Sequence, residues 1–285
     1  MISIIITTFK EFKTLPRAIK AILKQNIKQD YEILIIGPDQ ETEKIVKKFA
    51  RINSKIKYLK DRGKGKPTAL NLGFKKAQGE ILVLTDGDVW IKENILQEFL
   101  NYFNDKNIGA VTGQPISINS KNNMLGYWSH FLTHAAHQWR LKSNFFPCSG
   151  YLYAFRNVIE KIPSNMLAED GVISGLIRKR GYQIAYAPQA EVYVKYPDNL
   201  KDWLKQKLRS TGGYVQKQSQ KERNFFQEVG RGVIIFFTYP QSIKEFFWTI
   251  LLYLSRIYLW VKIFWEIKIK NKDFKSIWQR VESTK

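Results

Sequence analysis

A chain of 285 residues can hold one large α/β domain, or one of roughly 200 residues with an appendage. Its 44% hydrophobic content excludes disorder as the default state. The single cysteine, Cys148, excludes an internal disulfide and any CxxC zinc pattern. The formal charge of +21 raises affinity for nucleic acid, an acidic leaflet or phosphorylated substrates without choosing among them.

Ile2 to Thr8 is a β-branched run that reads as a buried strand. No basic leader, apolar h-region or cleavage site precedes it, so no secretory signal is expected. Leu15 to Leu23 carries apolar residues at helical spacing, with Pro16 in a first turn. Tyr31 to Ile36 is a second strand, stopped by Gly37-Pro38-Asp39. A helix follows, with Glu41 and Glu43 early and Lys47 and Lys48 late, which suits the macrodipole. Ile56 to Leu59 is a third strand. Gly63-Lys64-Gly65-Lys66-Pro67-Thr68 then opens into a helix, Ala69 to Ala77. Glycines that let N–H groups approach an anion, lysines that neutralise it and a helix start suit a diphosphate cradle. A solvated basic turn is the plain alternative, because the spacing is neither Walker A nor GxGxxG.

Ile81 to Leu84 is fully apolar, the mark of a strand buried on both faces, and it ends in Thr85-Asp86-Gly87-Asp88. Ligands of open α/β sheets gather outside the carboxyl ends of strands. Two carboxylates one residue apart suit Mg²⁺ or Mn²⁺, which usually also holds substrate phosphates. A solvated Asp-Gly turn is the competing reading. A helix (Ile91 to Phe103), a strand (Gly109 to Gly113) and a helix (Asn122 to Lys142) follow. The last carries the only histidines, His130, His134 and His137, on one face. His-x3-His is a metal spacing, but no catalytic glutamate accompanies it, so a polar cleft lining or a half-buried helix face is expected.

Ser149 to Phe155 is another strand, with Gly150 and Tyr151 at its start and Arg156 after its end. Ala168-Glu169-Asp170-Gly171 opens the helix Val172 to Lys179. Acids there act as first-turn charges in the ordinary case. Gln183 to Ala187 and Ala190 to Lys195 are strand-like, split by Pro188. Strand and helix alternate throughout, which argues for βαβ crossovers and a mostly parallel sheet.

From Phe225 the character changes. Val233 to Tyr239 is apolar and stops at Pro240, and Phe246 to Trp265 supplies an apolar stretch of bilayer-spanning length. Lys244, Glu245, Thr249, Ser255, Arg256, Lys262 and Glu266 share one stripe of that helix. An intramembrane charge is costly, so a helix lying in the interface is expected. Lys268, Lys270, Lys272 and Lys275 suit an anionic leaflet. An amphipathic helix packed on the domain is the alternative.

Several segments, in order, resemble family-2 inverting glycosyltransferases with a GT-A fold. Ile4-Ile5-Ile6-Thr7-Thr8-Phe9 is similar to the family's opening strand, and Gly65 to Gly73 to its "GK..ALN.G" segment. Asp86-Gly87-Asp88 stands at the DxD. Gly150 to Arg156 resembles "G....FR", and Ala168-Glu169-Asp170 with Gly181 to Pro188 resembles "(T/A)ED…GY.....P". Gln206-Lys207-Leu208-Arg209-Ser210 resembles QxxRW with Trp replaced by Ser, which favours single-sugar transfer. Where the family has "VVDDGS.D", the chain has Ile35-Ile36-Gly37-Pro38-Asp39-Gln40-Glu41, with Asp39 in a shifted register.

The resemblance implies an α/β GT-A domain over residues 1–222, Rossmann-like with a mostly parallel central sheet and flanking helices. A membrane-associating region of amphipathic helices would occupy 223–285. It implies transfer from a nucleotide-diphosphate sugar, UDP-sugars favoured, to a glycan or lipid-linked acceptor with Mn²⁺ or Mg²⁺. Asp170 takes the general-base role, with Glu169 beside it, and Asp88 and Asp86 the metal. Thr7, Thr8, Asp39, Lys66, Asn71, Asp86, Asp88 and Arg209 fall on the donor side, and Gly150, Tyr151 and Arg156 on the acceptor side. A peripheral or monotopic position on the cytoplasmic membrane face follows. A polyprenyl-phosphate glycosyltransferase is the neighbouring alternative. A basic nucleic-acid-binding protein is the alternative of another class, but no RNP, zinc-finger or helix-turn-helix pattern supports it, so nucleic acid is not an expected partner.

Overall fold

The structure is a computed structural model that describes residues 1–215, 233–270, 281, 283 and 284. The expected boundary near residue 222, together with Phe225, Lys272 and Lys275, lies outside the described residues. The first half alternates as the sequence predicts: β1 (Ile2–Thr7), α1 (Leu15–Leu23), β2 (Tyr31–Gly37), α2 (Gln40–Ile52), β3 (Ile56–Lys60), α3 (Lys66–Lys76) and β4 (Ile81–Asp86). Then come β5 (Trp90–Ile91), α4 (Leu96–Asn101), β6 (Ile108–Ser117), α5 (Met124–Lys142), β7 (Leu152–Arg156), α6 (Glu169–Lys179), β8 (Gln183–Val194) and α7 (Leu200–Val215). Residues 233–238 are helical, and α8 spans Ile243–Phe264.

One sheet runs through the domain in the order β3-β2-β1-β4-β7-β6-β8-β5. Along β1, β2 and β4 successive residues alternate between two apolar layers. Ile4, Ile6, Ile33, Ile35 and Val83 join one, and Ile5, Leu34, Ile36, Leu82 and Leu84 the other. Burial on both faces explains the unbroken apolar runs.

The sheet is mostly parallel, as expected, with antiparallel pairings at β7 and at the short edge strand β5. β3, β2, β1 and β4 are parallel, and so are β6 and β8, but β7 lies between the two blocks antiparallel to both neighbours. β8 also runs through Pro188, where two strands were expected. Its register against β6 jumps from Thr112↔Tyr186 to Gln114↔Glu191. That irregularity absorbs a proline that cannot donate to the ladder.

α8 docks on the domain through a third apolar cluster containing Leu125, Trp128 and Phe131 of α5, Trp203 of α7, and Leu252 and Leu259 of α8. The Tyr127 and Thr249 hydroxyls share a hydrogen bond of 2.7 Å, and Trp128 Nε1 donates to the Trp248 carbonyl at 2.7 Å. The packed helix is thus the arrangement seen. Thr249 is fully buried and Arg256 faces a cavity, whereas Ile243 (91% exposed), Val261 (63%) and Phe264 (59%) face outward. Part of the expected polar stripe therefore points into the protein.

Candidate active site

Three strand ends meet at one edge of the sheet. β1 and β4 are neighbours, with Thr7 opposite Asp86, and the Thr7 hydroxyl donates to Asp86 Oδ1 at 2.9 Å. Because β7 is antiparallel, its first residue, Leu152, lies opposite Thr85, so the segment before β7 arrives at the same end. The Thr85 hydroxyl donates to the Tyr151 carbonyl at 2.9 Å, tying that segment to β4. Asp86-Gly87-Asp88 is thus more than a solvated turn. The Gly87 N–H donates to the Thr7 carbonyl at 3.0 Å. A Cβ on Gly87 would lie 2.7 Å from Glu11 Oε2 and 2.9 Å from Thr8 Oγ1. Only glycine lets β4 turn so tightly against β1 and present Asp88 to the cavity beyond.

The basic loop forms the next wall. Gly63 and Gly65 adopt φ of 64° and 100°, conformations that favour glycine. Gly65 begins α3 without a side-chain cap. Lys66 then reaches in: its Nζ lies 2.8 Å from Asp86 Oδ1 and 2.7 Å from Glu169 Oε1. Burial opposes the charged ammonium, yet Asp86 and Glu169 raise its pKa well above the usual lysine range. One cation therefore bridges the carboxylate at the end of β4 and the first turn of α6. Beside it the Thr8 hydroxyl is buried with no hydrogen-bond partner and lines the same cavity.

Asp170 follows Glu169 in the first turn of α6. Its Oδ1 accepts the Gly171 N–H at 2.8 Å, and its carbonyl accepts the Ser174 hydroxyl at 2.6 Å. That hydroxyl in turn accepts the Cys148 N–H at 2.9 Å, fixing α6 against the segment before β7. A Cβ on Gly150 would stand 3.1 Å from Asp170 Oδ2. Burial, with Glu169 as a neighbouring like charge, pushes the Asp170 carboxyl up to about 6, despite N–H donation from Gly171 and Gly150 and the charge of Lys66. Asp170 is a carboxylate poised to take up a proton near neutral pH.

Tyr151 and Tyr196 pack edge to face, 6.0 Å between centroids, with their hydroxyls hydrogen-bonded. Burial, with the nearby charge of Asp88, pushes the Tyr151 hydroxyl up to about 12. Arg209 of α7 lines the same cavity and opposes that shift. Tyr196, Arg140 and Arg256 also line the cavity. No sequence spacing singles them out; only the convergence of β8, α5 and α8 does.

Three residues expected at the site are not among those that line the cavity. Asp39 caps α2, with Oδ1 accepting the Thr42 N–H at 2.8 Å and Oδ2 the Lys10 N–H at 3.3 Å. Asn71 exchanges two 2.8 Å hydrogen bonds with the backbone of Ile162 and braces α3. Arg156 pairs with Ile81, at the opposite end of β4 from Asp86, and donates to the carbonyls of Phe103, Asp105 and Ile108. The antiparallel run of β7 turns it away from the site.

The histidines of α5 do not converge either. His130 Nε2 meets the Asn119 carbonyl at 2.7 Å, His137 Nδ1 the Tyr186 hydroxyl at 2.7 Å, and His134 packs on Tyr239. Among the described residues no group of three or more His, Cys, Asp or Glu could hold a metal. Asp86 and Asp88 are two hard-oxygen donors on the cavity wall, a partial set of the kind Mg²⁺ or Mn²⁺ completes with water and substrate phosphates.

The residues that do converge face one cavity of about 1250 Å³. Thr7, Lys66, Asp86, Asp88, Gly150, Glu169, Asp170 and Arg209 share its wall.

Comparison with known proteins agrees with this fold. Residues 3–163 match the family model described as glycosyl transferase family 2. A Bacillus subtilis protein named as probable glycosyltransferase YdaM is 26% identical over 261 residues, 84% of this chain and 62% of its own length. A poly-beta-1,6-N-acetyl-D-glucosamine synthase of Staphylococcus aureus is 25% identical over 226 residues, 75% of this chain and 54% of its own. The chain thus spans little more than half the length of these relatives. Among solved structures, the mannosyltransferase PcManGT from Pyrobaculum calidifontis, in complex with GDP-Man and Mn²⁺, superposes with a TM-score of 0.60. It is 16% identical, with 96% of this chain and 82% of that chain covered. TarS of S. aureus superposes with a TM-score of 0.53 at 14% identity, covering 86% of this chain and 46% of that one.

Proposed function

The chain belongs to glycosyl transferase family 2, a glycosyltransferase with the GT-A fold, and from that premise we propose that it moves a sugar from a nucleotide-diphosphate sugar to a hydroxyl of a glycan or lipid-linked acceptor with inversion. One observation carries this reading. Asp86 and Asp88 at the end of β4 and Glu169 and Asp170 at the start of α6 face a single cavity, with Lys66 bridging Asp86 and Glu169.

In the proposed reaction Asp170 accepts the proton of an acceptor hydroxyl as its oxygen bonds to the anomeric carbon. The bond from that carbon to the diphosphate breaks on the opposite face, so a single displacement inverts the centre. General-base help of this kind contributes ~10²–10⁴-fold. Lys66 and Arg209 offset the charge that develops on the departing diphosphate. Thr8, with its unpartnered hydroxyl, offers the donor a hydrogen bond. A Mn²⁺ or Mg²⁺ ion held by Asp88 and Asp86 would supply Lewis-acid stabilisation of the leaving group. The neighbour bound to GDP-Man and Mn²⁺ supports a divalent ion and a nucleotide sugar as ligands. UDP-sugars are the first donors to test and GDP-mannose the second.

The proposed position is peripheral or monotopic on an anionic membrane, at its cytoplasmic face, and the outward apolar face of α8 supports the membrane contact. α8 has 22 residues and the apolar content of a span, and the flanking Lys270 is exposed. A thermal-shift screen of UDP, GDP and their sugars, with and without Mn²⁺, tests the donor reading. A Mn²⁺-dependent rise in Tm with one nucleotide family is expected; no shift with any of them overturns it.

A further inference from the structure

The cavity is larger than a small ligand needs, since pockets of that kind occupy roughly 300–1,000 Å³ against about 1250 Å³ here. Its acids, Glu11, Asp61, Asp86, Asp88, Glu169 and Asp170, come from the β1–β4 side and α6. The wall made by α5, residues 233–238 and α8 differs. Phe131, Leu132, Ile235, Leu252, Tyr253 and Trp260 line it, with His134, Thr238 and Arg256 as polar residues among them, and Phe131 and Leu252 belong to the third apolar cluster, separate from the two cores that flank the sheet. The cavity thus has a polar end at Asp170 and an apolar arm beneath α8.

That arm has an outlet. Ile234 and Thr238 line the cavity and are themselves exposed, Ile234 to 72%. Around them the outer surface is apolar: Phe237, Phe247, Leu254, Val261 and Phe264 are all exposed. Within the same turns of α8, Leu252, Tyr253 and Arg256 face the cavity while Leu254 and Ile257 face outward. The helix is a wall with Leu252, Tyr253, Arg256 and Trp260 toward the cavity and a largely apolar exterior on the other side.

We propose that the acceptor is an amphiphile, its hydroxyl-bearing head at Asp170 and its hydrocarbon chain leaving through the apolar arm, between α5 and α8, past Ile234 and Thr238 into the bilayer. This deepens the glycosyltransferase reading and rests on it for the role of Asp170. A water-soluble glycan would gain nothing from Leu252 or Trp260. A hydrocarbon chain would lie mainly against Phe131, Leu132, Leu252, Tyr253 and Trp260 on its way out, with Arg256 the one charged side chain of α8 on that path.

The test uses the full chain and a dodecyl β-glucoside carrying a terminal diazirine as probe. Photolabelling is expected on Phe131, Leu132, Leu252, Tyr253 or Trp260. Unlabelled dodecyl β-glucoside should compete at a concentration lower by roughly a hundredfold or more than methyl β-glucoside, as burial of only four methylenes implies. Thr238→Trp adds bulk at the outlet without disturbing a buried residue, and should cut labelling at least tenfold. Leu132→Trp narrows the arm from the α5 side and should do the same. Labelling confined to Leu254, Val261 and Phe264, equal competition by the methyl glycoside, or undiminished labelling in both variants overturns the inference. Calorimetric binding of UDP and GDP with Mn²⁺ is measured on the same protein. Loss of nucleotide binding beside intact arm labelling would fault the donor reading instead.

Discussion

The elevated carboxyl of Asp170 makes the pH profile the most informative measurement. An aspartate at its ordinary value near 3.8 is about 94% ionised at pH 5, so a base of that kind gives a flat rate between pH 7 and 5. With the carboxyl at about 6, the ionised fraction falls from about nine-tenths at pH 7 to about one-tenth at pH 5. Because a base must be deprotonated to act, kcat/KM should fall roughly tenfold over that interval and level off above pH 7. Donor affinity measured at each pH separates this limb from titration of the diphosphate. Glu169→Gln keeps an acceptor for Lys66 but removes the like charge, so the limb should move to lower pH without disappearing, burial being the larger cause of the shift. Asp170→Asn should abolish the limb together with ~10²–10⁴-fold of turnover, while nucleotide binding persists. A folded carboxyl that resists ionisation opposes folding above its pKa, so this variant should not lower Tm at pH 7.5. A profile flat to pH 5, or near-normal turnover in Asp170→Asn, would falsify the base assignment.

Asp88→Ala should remove the Mn²⁺ dependence of nucleotide binding, read as equal calorimetric affinity with Mn²⁺ and with chelator; a retained dependence would return the metal role to other residues. Lys66→Met strips the shared cation from two largely buried carboxylates, Asp86 and Glu169, whose side chains are 21% and 12% exposed. Breaking such a pair costs about 3–5 kcal/mol. Its Tm should fall by several degrees and recover more with Mn²⁺ than the wild type gains; an unchanged Tm refutes the bridging role. Gly150→Ala places a methyl 3.1 Å from Asp170 Oδ2, so kcat should drop at least tenfold with donor KM held. A change in donor KM alone would place Gly150 on the donor side.

Legibility in the sequence followed the range of the forces involved. β1, β2 and β4 were readable because burial on both faces leaves mostly β-branched and aliphatic residues in them. α1 was readable to its ends, because a proline opens it and Leu15, Ala18, Ile19 and Ile22 keep one buried face. α4 was overread as thirteen residues, Ile91 to Phe103, because periodicity alone does not show that Trp90 and Ile91 are claimed by β8. α8 was readable as amphipathic but not in its orientation. A wheel separates the polar stripe from the apolar one, and only packing shows that Thr249 pairs with Tyr127 while Phe264 meets the exterior.

The candidate site divides along the same line, and the direction of β7 explains why. A motif places a residue relative to its own strand, so Asp86, Asp88 and Lys66 could be assigned from a strand end and a helix start. Gly150 and Arg156 bracket a single strand, and a linear motif offers both to the acceptor. They cannot both reach it. β7 runs against β4, so whichever end meets Asp86, the other lies about five residues, or roughly 16 Å, down the sheet. The register Thr85↔Leu152 and Ile81↔Arg156 puts Gly150 and Tyr151 at the Asp86 end. Arg156 is left to three backbone carbonyls at the far edge, where it closes the end of β6. Arg156→Lys, which loses the guanidinium's fork of donors, should therefore lower Tm and leave both KM values at their wild-type level. A raised acceptor KM in that variant, with Tm unchanged, would mean that the strand direction has been misjudged.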